Sequence, residues 1–250
     1  MRFEQVRVTV LVDNDTSRPD LRGEHGFALW IEAGESKVLF DTGASGLVCE
    51  NAAKLGIDLS EADAVVLSHG HDDHAGGLSA VADKAPRSVL YAHPTAGAGQ
   101  RGLSVVNSSH PETVAPGLRT TGEIRRITGF EPPDLTYFPD DQALFFEVEA
   151  KGLVVVVGCA HAGVVNTVKQ VARLAARKRV HAVLGGMHLH DASEERLAGT
   201  IQAFRDYGLR RIGPCHCTGE KATHLFKQEF NGGCIPCSTG TVITFGDHGG

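Results

Sequence analysis

Between Val65 and Leu78 the chain reads VVLSHGHDDHAGGL, placing His69, His71, Asp72, Asp73 and His74 inside six residues ahead of a glycine pair. Imidazole and carboxylate are borderline donors that suit zinc, iron and manganese. Alternate side chains of an extended segment point the same way, so His69 and His71 can reach one ion. Asp73 and His74 begin the next turn and can reach a second ion beside the first. Asp72, between the ligands, is expected to face solvent. A surface loop that merely happens to be rich in histidine is the competing reading. It fits poorly with the apolar run before the cluster and the tight Asp-His turn and Gly76–Gly77 after it. The chemistry expected here is hydrolysis. A bound divalent ion lowers the pKa of its water from about 15.7 towards 7, and two ions together stabilise developing negative charge. Asp73 would serve both as ligand and as hydrogen-bond partner of that water.

The surrounding sequence must present this cluster at a strand end. MRFEQVRVTVLV alternates as a strand, with Val6, Val8 and Val10 against Arg7 and Thr9. GFALWIEA (26–33) and SKVLFDTG (36–43) read as a hairpin, and LVCENAAKLGID (47–58) as a helix broken at Gly56. ADAVVLS (62–68) is a short continuous apolar run, as in a buried strand, followed by a helix over 76–85 and a strand over 88–92. Residues 94–142, rich in Pro, Gly and Ser, read as loops and short strands over the surface. Beyond them come a hairpin (ALFFEVEA, then GLVVVVG), a helix over 163–178, a strand at VHAVLGG and a helix over 193–208 capped by Ser193. RRIGP, EKATHLFKQEF and GTVITFG then read as strand, helix and strand. The expectation is one α/β domain over 1–250, with two sheets packed face to face and flanked by helices.

The chain has 250 residues, 42% of them apolar, and a net charge of −6, which argues against a nucleic-acid surface. The N-terminus lacks the apolar stretch of an export signal, and no segment is long enough to span a membrane. The expected compartment is therefore cytoplasmic, and the six cysteines are expected as thiols or ligands rather than disulfides.

The H-x-H-x-D-H pattern of His69, His71, Asp73 and His74 resembles the signature of the metallo-β-lactamase superfamily. That resemblance implies an αββα sandwich of two mixed β-sheets flanked by helices, with one or two metals at the sheet edge. Asp41 in DTG looks like the superfamily's first motif, where the carboxylate supports the metal loop by hydrogen bonds. More narrowly, GEHGFALWIE, LSHGHDDHAGGL, VVVVGCAHAGVVNTV, GGMHL and PCHCTGEKA, in this order, resemble the branch of dihydropterin ribofuranosylaminobenzene 5′-phosphate synthase-like proteins.

The superfamily pattern asks for further ligands at downstream strand ends. His161 is the choice to complete the first site, and His216, after a short strand and before a helix, the choice for the second. Cys159 could replace the usual bridging aspartate, or be a small buried residue. His188 is its rival as ligand, or lines the pocket as a general acid; His25 and His190 are candidate substrate-binding residues. The implied function is that of a metallo-hydrolase on a small phosphorylated or carboxylated metabolite. Zinc is the expected metal, as two ions at most, with iron or manganese as alternatives. A pterin-type synthase or a metal-dependent sensor without turnover stays open, as does a homodimer. Cys215, Cys217, Cys234 and Cys237 could form a separate metal site, although packed thiols are the plainer expectation; chain alternation would point Cys215 and Cys217 away from His216.

Overall fold

The computed structural model describes residues 1–16, 18–97, 102–131, 141–177 and 179–246. In chain order the first elements are β1 (Gln5–Val12), β2 (Ala28–Ala33), β3 (Ser36–Phe40), α1 (Leu47–Lys54), β4 (Ala64–Val66), α2 (Asp72–Ala75), α3 (Leu78–Lys84) and β5 (Val89–Ala92). Three short strands follow: β6 (Ser104–Asn107), β7 (Thr113–Ala115) and β8 (Leu118–Thr120). The remainder is β9 (Leu144–Val148), β10 (Gly152–Val157), α4 (Val164–Leu174), β11 (Val180–Gly185), α5 (Glu194–Asp206), β12 (Arg211–Pro214), α6 (Glu220–Glu229) and β13 (Val242–Gly246).

These strands form two mixed sheets, ordered β13-β1-β2-β3-β4-β5-β6 and β12-β11-β10-β9-β8-β7. Alternation in β1 turns Val6, Val8 and Val10 into an inter-sheet core, where they meet Leu144, Phe146, Val154, Val156 and Leu184 of the other sheet. The opposite faces are covered too. Leu11, Trp30, Leu39 and Val65 cluster with Val48 of α1 and Val81 of α3. Val155, Val157 and Val183 cluster with Val168 of α4, Leu197 of α5 and Phe226 of α6. A strand buried on both faces has no polar side to show, hence the unbroken run of valines from Val154 to Val157. The αββα architecture expected from the sequence is thus present.

Most elements lie where expected, including the Ser193 cap, whose Oγ accepts from Arg196 N at 3.2 Å. Three details differ. Helix α4 ends at Leu174 because Ala176 turns left-handed (φ 50°) and Arg177 N bonds back to Ala172 O at 3.0 Å, a closing turn written without the usual glycine. The expected end of that helix, Lys178, lies outside the described residues. The stretch 94–142 is more than surface loop: β6 extends the first sheet, β7 and β8 extend the second, and Leu118 and Thr120 are buried. Its portions 98–101 and 132–140 lie outside the described residues. Finally, β13 returns to the first sheet and pairs antiparallel with β1, Val8 opposite Ile243. Among the described residues no helix is long and apolar enough to cross a membrane.

Candidate metal centre

The candidate ligands all follow the C-terminal ends of strands. Asp41 follows β3, His69 follows β4, Cys159 and His161 follow β10, His188 follows β11 and His216 follows β12. The two sheets bring these ends to one edge, the place where α/β sheets bind ligands. Tight turns there are held in unusual backbone conformations. Asp41, Ala160, His188 and His216 have φ of 58°, 53°, 46° and 50°, left-handed values that cost energy in residues with a Cβ and concentrate at functional sites.

The metal loop is fastened to the turn at Asp41–Gly43. Thr42 N donates to His74 O at 2.8 Å, and Gly77 N donates to Gly43 O at 3.1 Å. The glycine pair permits this approach, since a Cβ on Gly77 would lie 2.1 Å from Thr42 O.

Three donor sets result, each with its ligand atoms within 4.8 Å of one another: His69, His71 and His161; Asp73, His74, Cys159 and His216; and Cys159, His188 and Cys217. In the second set His74 Nε2 stands 3.1 Å from Cys159 Sγ and 3.2 Å from His216 Nε2. Asp73 Oδ2 is 3.2 Å from His216 Nε2. Asp72 is exposed, as expected. Cys159 thus lies with the donor atoms of the second set and also with those of the third.

Asp41 is fully buried and accepts from Ser68 N (2.7 Å), Ser68 Oγ (2.7 Å) and His74 Nδ1 (2.7 Å). A carboxylate offers only lone pairs, so His74 must donate through Nδ1, which leaves Nε2 as a lone pair facing Cys159 and His216. Ser68 spends its one proton on Asp41, so its oxygen accepts from His69 Nδ1, 2.9 Å away. His69 Nε2 is then also a lone pair, buried and without a hydrogen-bond partner. Burial, reinforced by His74, His161 and His71, holds the His69 imidazole well below its ordinary pKa, so a proton does not fill that place. One carboxylate thus sets the tautomer of one histidine in each of two sets.

The other ligands have supports that sequence reasoning missed. Asp141 accepts from His161 N and, at 3.3 Å, from Ala162 N. Burial, with His188 and His71 nearby, lowers His161 to a pKa of about 3, keeping its ring neutral. Asp13 accepts from His216 N at 2.9 Å, and Asn14 Oδ1 lies 3.1 Å from His216 Nδ1. Two acidic or amide residues just past β1 are the only sequence hint of this role.

At the rim, exposed His25 stacks on His216 with ring centres 5.0 Å apart, and its Nε2 is 3.4 Å from Asp73 Oδ2. His190 lies 5.0 Å from His188, ring centre to ring centre, and pairs with Asp191 at 2.8 Å. A cleft of about 1100 Å³ adjoins His216, between Asp13–Asp15, the start of α6 and the loop over 234–238.

The cysteines differ from expectation. Cys217 does not point away from His216: the left-handed His216 breaks the alternation, and Cys217 reaches Cys159 and His188. Cys215 packs against the inter-sheet core, which also holds Cys237, whereas Cys234 packs against the helical face of the second sheet. Among the described residues those four cysteines form no common donor set.

Gly158 leaves room for the Asp41–Ser68 pair. A Cβ there would meet Ser68 Oγ at 2.1 Å and Asp41 Oδ2 at 2.9 Å. Gly158→Ala is expected to destabilise the fold by about 1–3 kcal/mol and to weaken metal retention. Thermal melts with and without added zinc check both; a variant that melts and binds like the parent would show that the pair has slack.

Comparisons with known proteins agree with this geometry. The Metallo-beta-lactamase superfamily profile matches residues 21–171, and the chain belongs to that superfamily. Within it, the chain is 30% identical to 7,8-dihydropterin-6-methyl-4-(beta-D-ribofuranosyl)-aminobenzene-5′-phosphate synthase of Methanocaldococcus jannaschii, over 89% of this chain and 90% of that protein. The crystal structure of Tm1679, described as a metal-dependent hydrolase of the beta-lactamase superfamily, is 31% identical. It superposes with a TM-score of 0.79 over 97% of this chain and 100% of that one. YhfI from Bacillus subtilis shares the fold at 14% identity, with a TM-score of 0.65 over 96% of this chain and 100% of its own.

Proposed function

We propose that this chain is a metal-dependent hydrolase that uses a metal-activated water on a small anionic metabolite, phosphorylated or carboxylated. The observation that carries the reading is His69 Nε2, a buried lone pair with no hydrogen-bond partner, beside the donor atoms of His71 and His161. Three imidazoles with one tetrahedral position left over are the ligand set of a catalytic rather than a structural zinc. Asp73, His74, Cys159 and His216 would hold a second ion. Zinc is the first choice, iron or manganese the alternatives. Bound ions would supply a hydroxide at neutral pH and a positive field for an anionic transition state.

The chain's own groups do the rest. Asp73 projects its carboxylate between His25 and His216, where it would accept a hydrogen bond from the attacking water and aim it. His25, stacked on His216, and His190, beside His188, would touch the substrate's anionic group.

Protein purified without added metal is expected to carry at least one equivalent of zinc, iron or manganese. A chelator should lower its melting temperature, and the same metal should restore it, because an ion bound only to the native state adds stability in proportion to its saturation. Turnover on a panel of phosphoesters, lactones and thioesters should disappear and return with it. Metal-free protein with unchanged melting and turnover would sink the reading.

A second reading, a synthase acting on a phosphoribosyl substrate, is favoured by the name of the archaeal relative. The two separate cleanly. Consumption of a phosphoribosyl donor only when an aromatic acceptor is present supports the synthase; consumption by water alone supports the hydrolase.

A further inference from the structure

The third donor set has no place in the two-ion scheme. Cys159 Sγ, Cys217 Sγ and a ring nitrogen of His188 lie within 4.8 Å of one another. Donors on a tetrahedral zinc stand about 3.5–3.8 Å apart, given Zn–S near 2.3 Å and Zn–N near 2.0–2.1 Å, so small side-chain adjustments would close the set on one ion. Several independent features shape this corner. His188 takes a left-handed backbone (φ 46°), and its ring packs 4.9 Å from that of His161. His188 N donates to Cys217 Sγ at 3.3 Å, the kind of N–H···S contact that favours a thiolate. Space for the sulfur is made by Gly186, where a Cβ would lie 2.7 Å from Cys217 Sγ.

We propose that Cys159, His188 and Cys217 form a third metal position, for a thiophilic divalent cation such as zinc, with the Cys159 sulfur shared between it and the second set. Two thiolates and one imidazole are a softer set than either neighbour, which disfavours manganese and magnesium there. Three donors would leave one tetrahedral position of a zinc ion for water or substrate. Of the two roles the sequence leaves open for His188, the proposal takes the ligand rather than the proton donor. For the shared Cys159 it rests on the metal-centre reading above, and the test is arranged so that the two fail separately.

The full chain, purified under reducing conditions and stripped, is titrated with cobalt(II), reading bound cobalt per chain and the sulfur-to-cobalt charge-transfer band. Three equivalents are expected for the parent. Cys217→Ser is expected to bind two, with the band reduced about twofold, and His188→Ala is expected to bind two with a weakened band. Cys217→Asp should keep three equivalents while the band falls, which guards against a folding defect; melting curves accompany every variant. A parent that binds two equivalents, or a Cys217→Ser protein unchanged in count and band, overturns the third position. A Cys159–Cys217 disulfide in the reduced preparation does the same. His71→Ala probes the first set alone: an unchanged count there overturns the two-ion reading instead.

Discussion

Asp73→Asn is expected to lower turnover by about 10²-fold, the cost of misplacing a reacting group, while leaving the fold intact. The substitution keeps the shape of the side chain and removes its charge. Asp73 Oδ2 lies 3.2 Å from His216 Nε2, 3.6 Å from His74 Nε2 and 3.4 Å from His25 Nε2, so it faces three imidazoles at once. Although burial works the other way, the hydrogen bond with His216 and the neighbouring imidazoles pull its pKa well below the carboxylate range, so it stays charged and accepts hydrogen bonds rather than protons. An amide neither carries that charge nor offers two acceptor oxygens to hold the water. The first set does not include Asp73, so at least one equivalent of metal should remain. Metal content and kcat/KM on a chromogenic phosphodiester read the two consequences separately. Full turnover in the variant would remove Asp73 from the chemistry.

Asp41→Ala should instead act on assembly. Three buried donors lose their acceptor at about 1–3 kcal/mol each, not additively, so a loss of roughly 3–5 kcal/mol is expected. For a chain of this size that is a fall in melting temperature of about 6–20 °C. Metal affinity should fall about 10–100-fold, because His69 and His74 would be free to present the wrong ring nitrogen. Asp41→Asn separates the two effects. Asparagine tolerates the left-handed backbone but offers a donor where His74 or Ser68 also donates. It should recover much of the stability and little of the metal affinity. Equal melting and equal zinc affinity in parent and alanine variant would dismiss this role.

What the sequence revealed depends on how local each feature is. His69, His71, Asp73 and His74 lie on one strand-to-helix turn, so their spacing alone marks them as candidate ligands, and each falls in a donor set. The two-sheet architecture was legible because the strands are short, apolar and bounded by turns. His161 and His216 needed the superfamily pattern, and the structure brings both into donor sets with the cluster. Cys217 was missed because alternation holds only in extended chain, and His216 at φ 50° is not extended. Asp13 supports His216 from 203 residues away, a pairing that β1 and β12 create and no local window contains. The end of α4 was overrun because Ala176 performs a glycine's role and Ala175, Ala176 and Arg177 look like continuing helix.

The return of β13 to β1 bears on the order in which the donor sets assemble. Thr239 Oγ1 accepts from Asp13 N at 2.9 Å, and Gly240 N donates to Val10 O at 2.8 Å. The strand that leads into Asp13 is therefore clamped by the last strand, and Asp13 in turn grips His216. During synthesis His69, His71 and His161 are all made before residues 239–246, which hold β1 and Asp13 in place. Closing so long a loop is a slow, entropically costly step in folding. The trio of histidines can gather early, whereas the second donor set waits for β13 to pair with β1, so loading of that set follows the pairing.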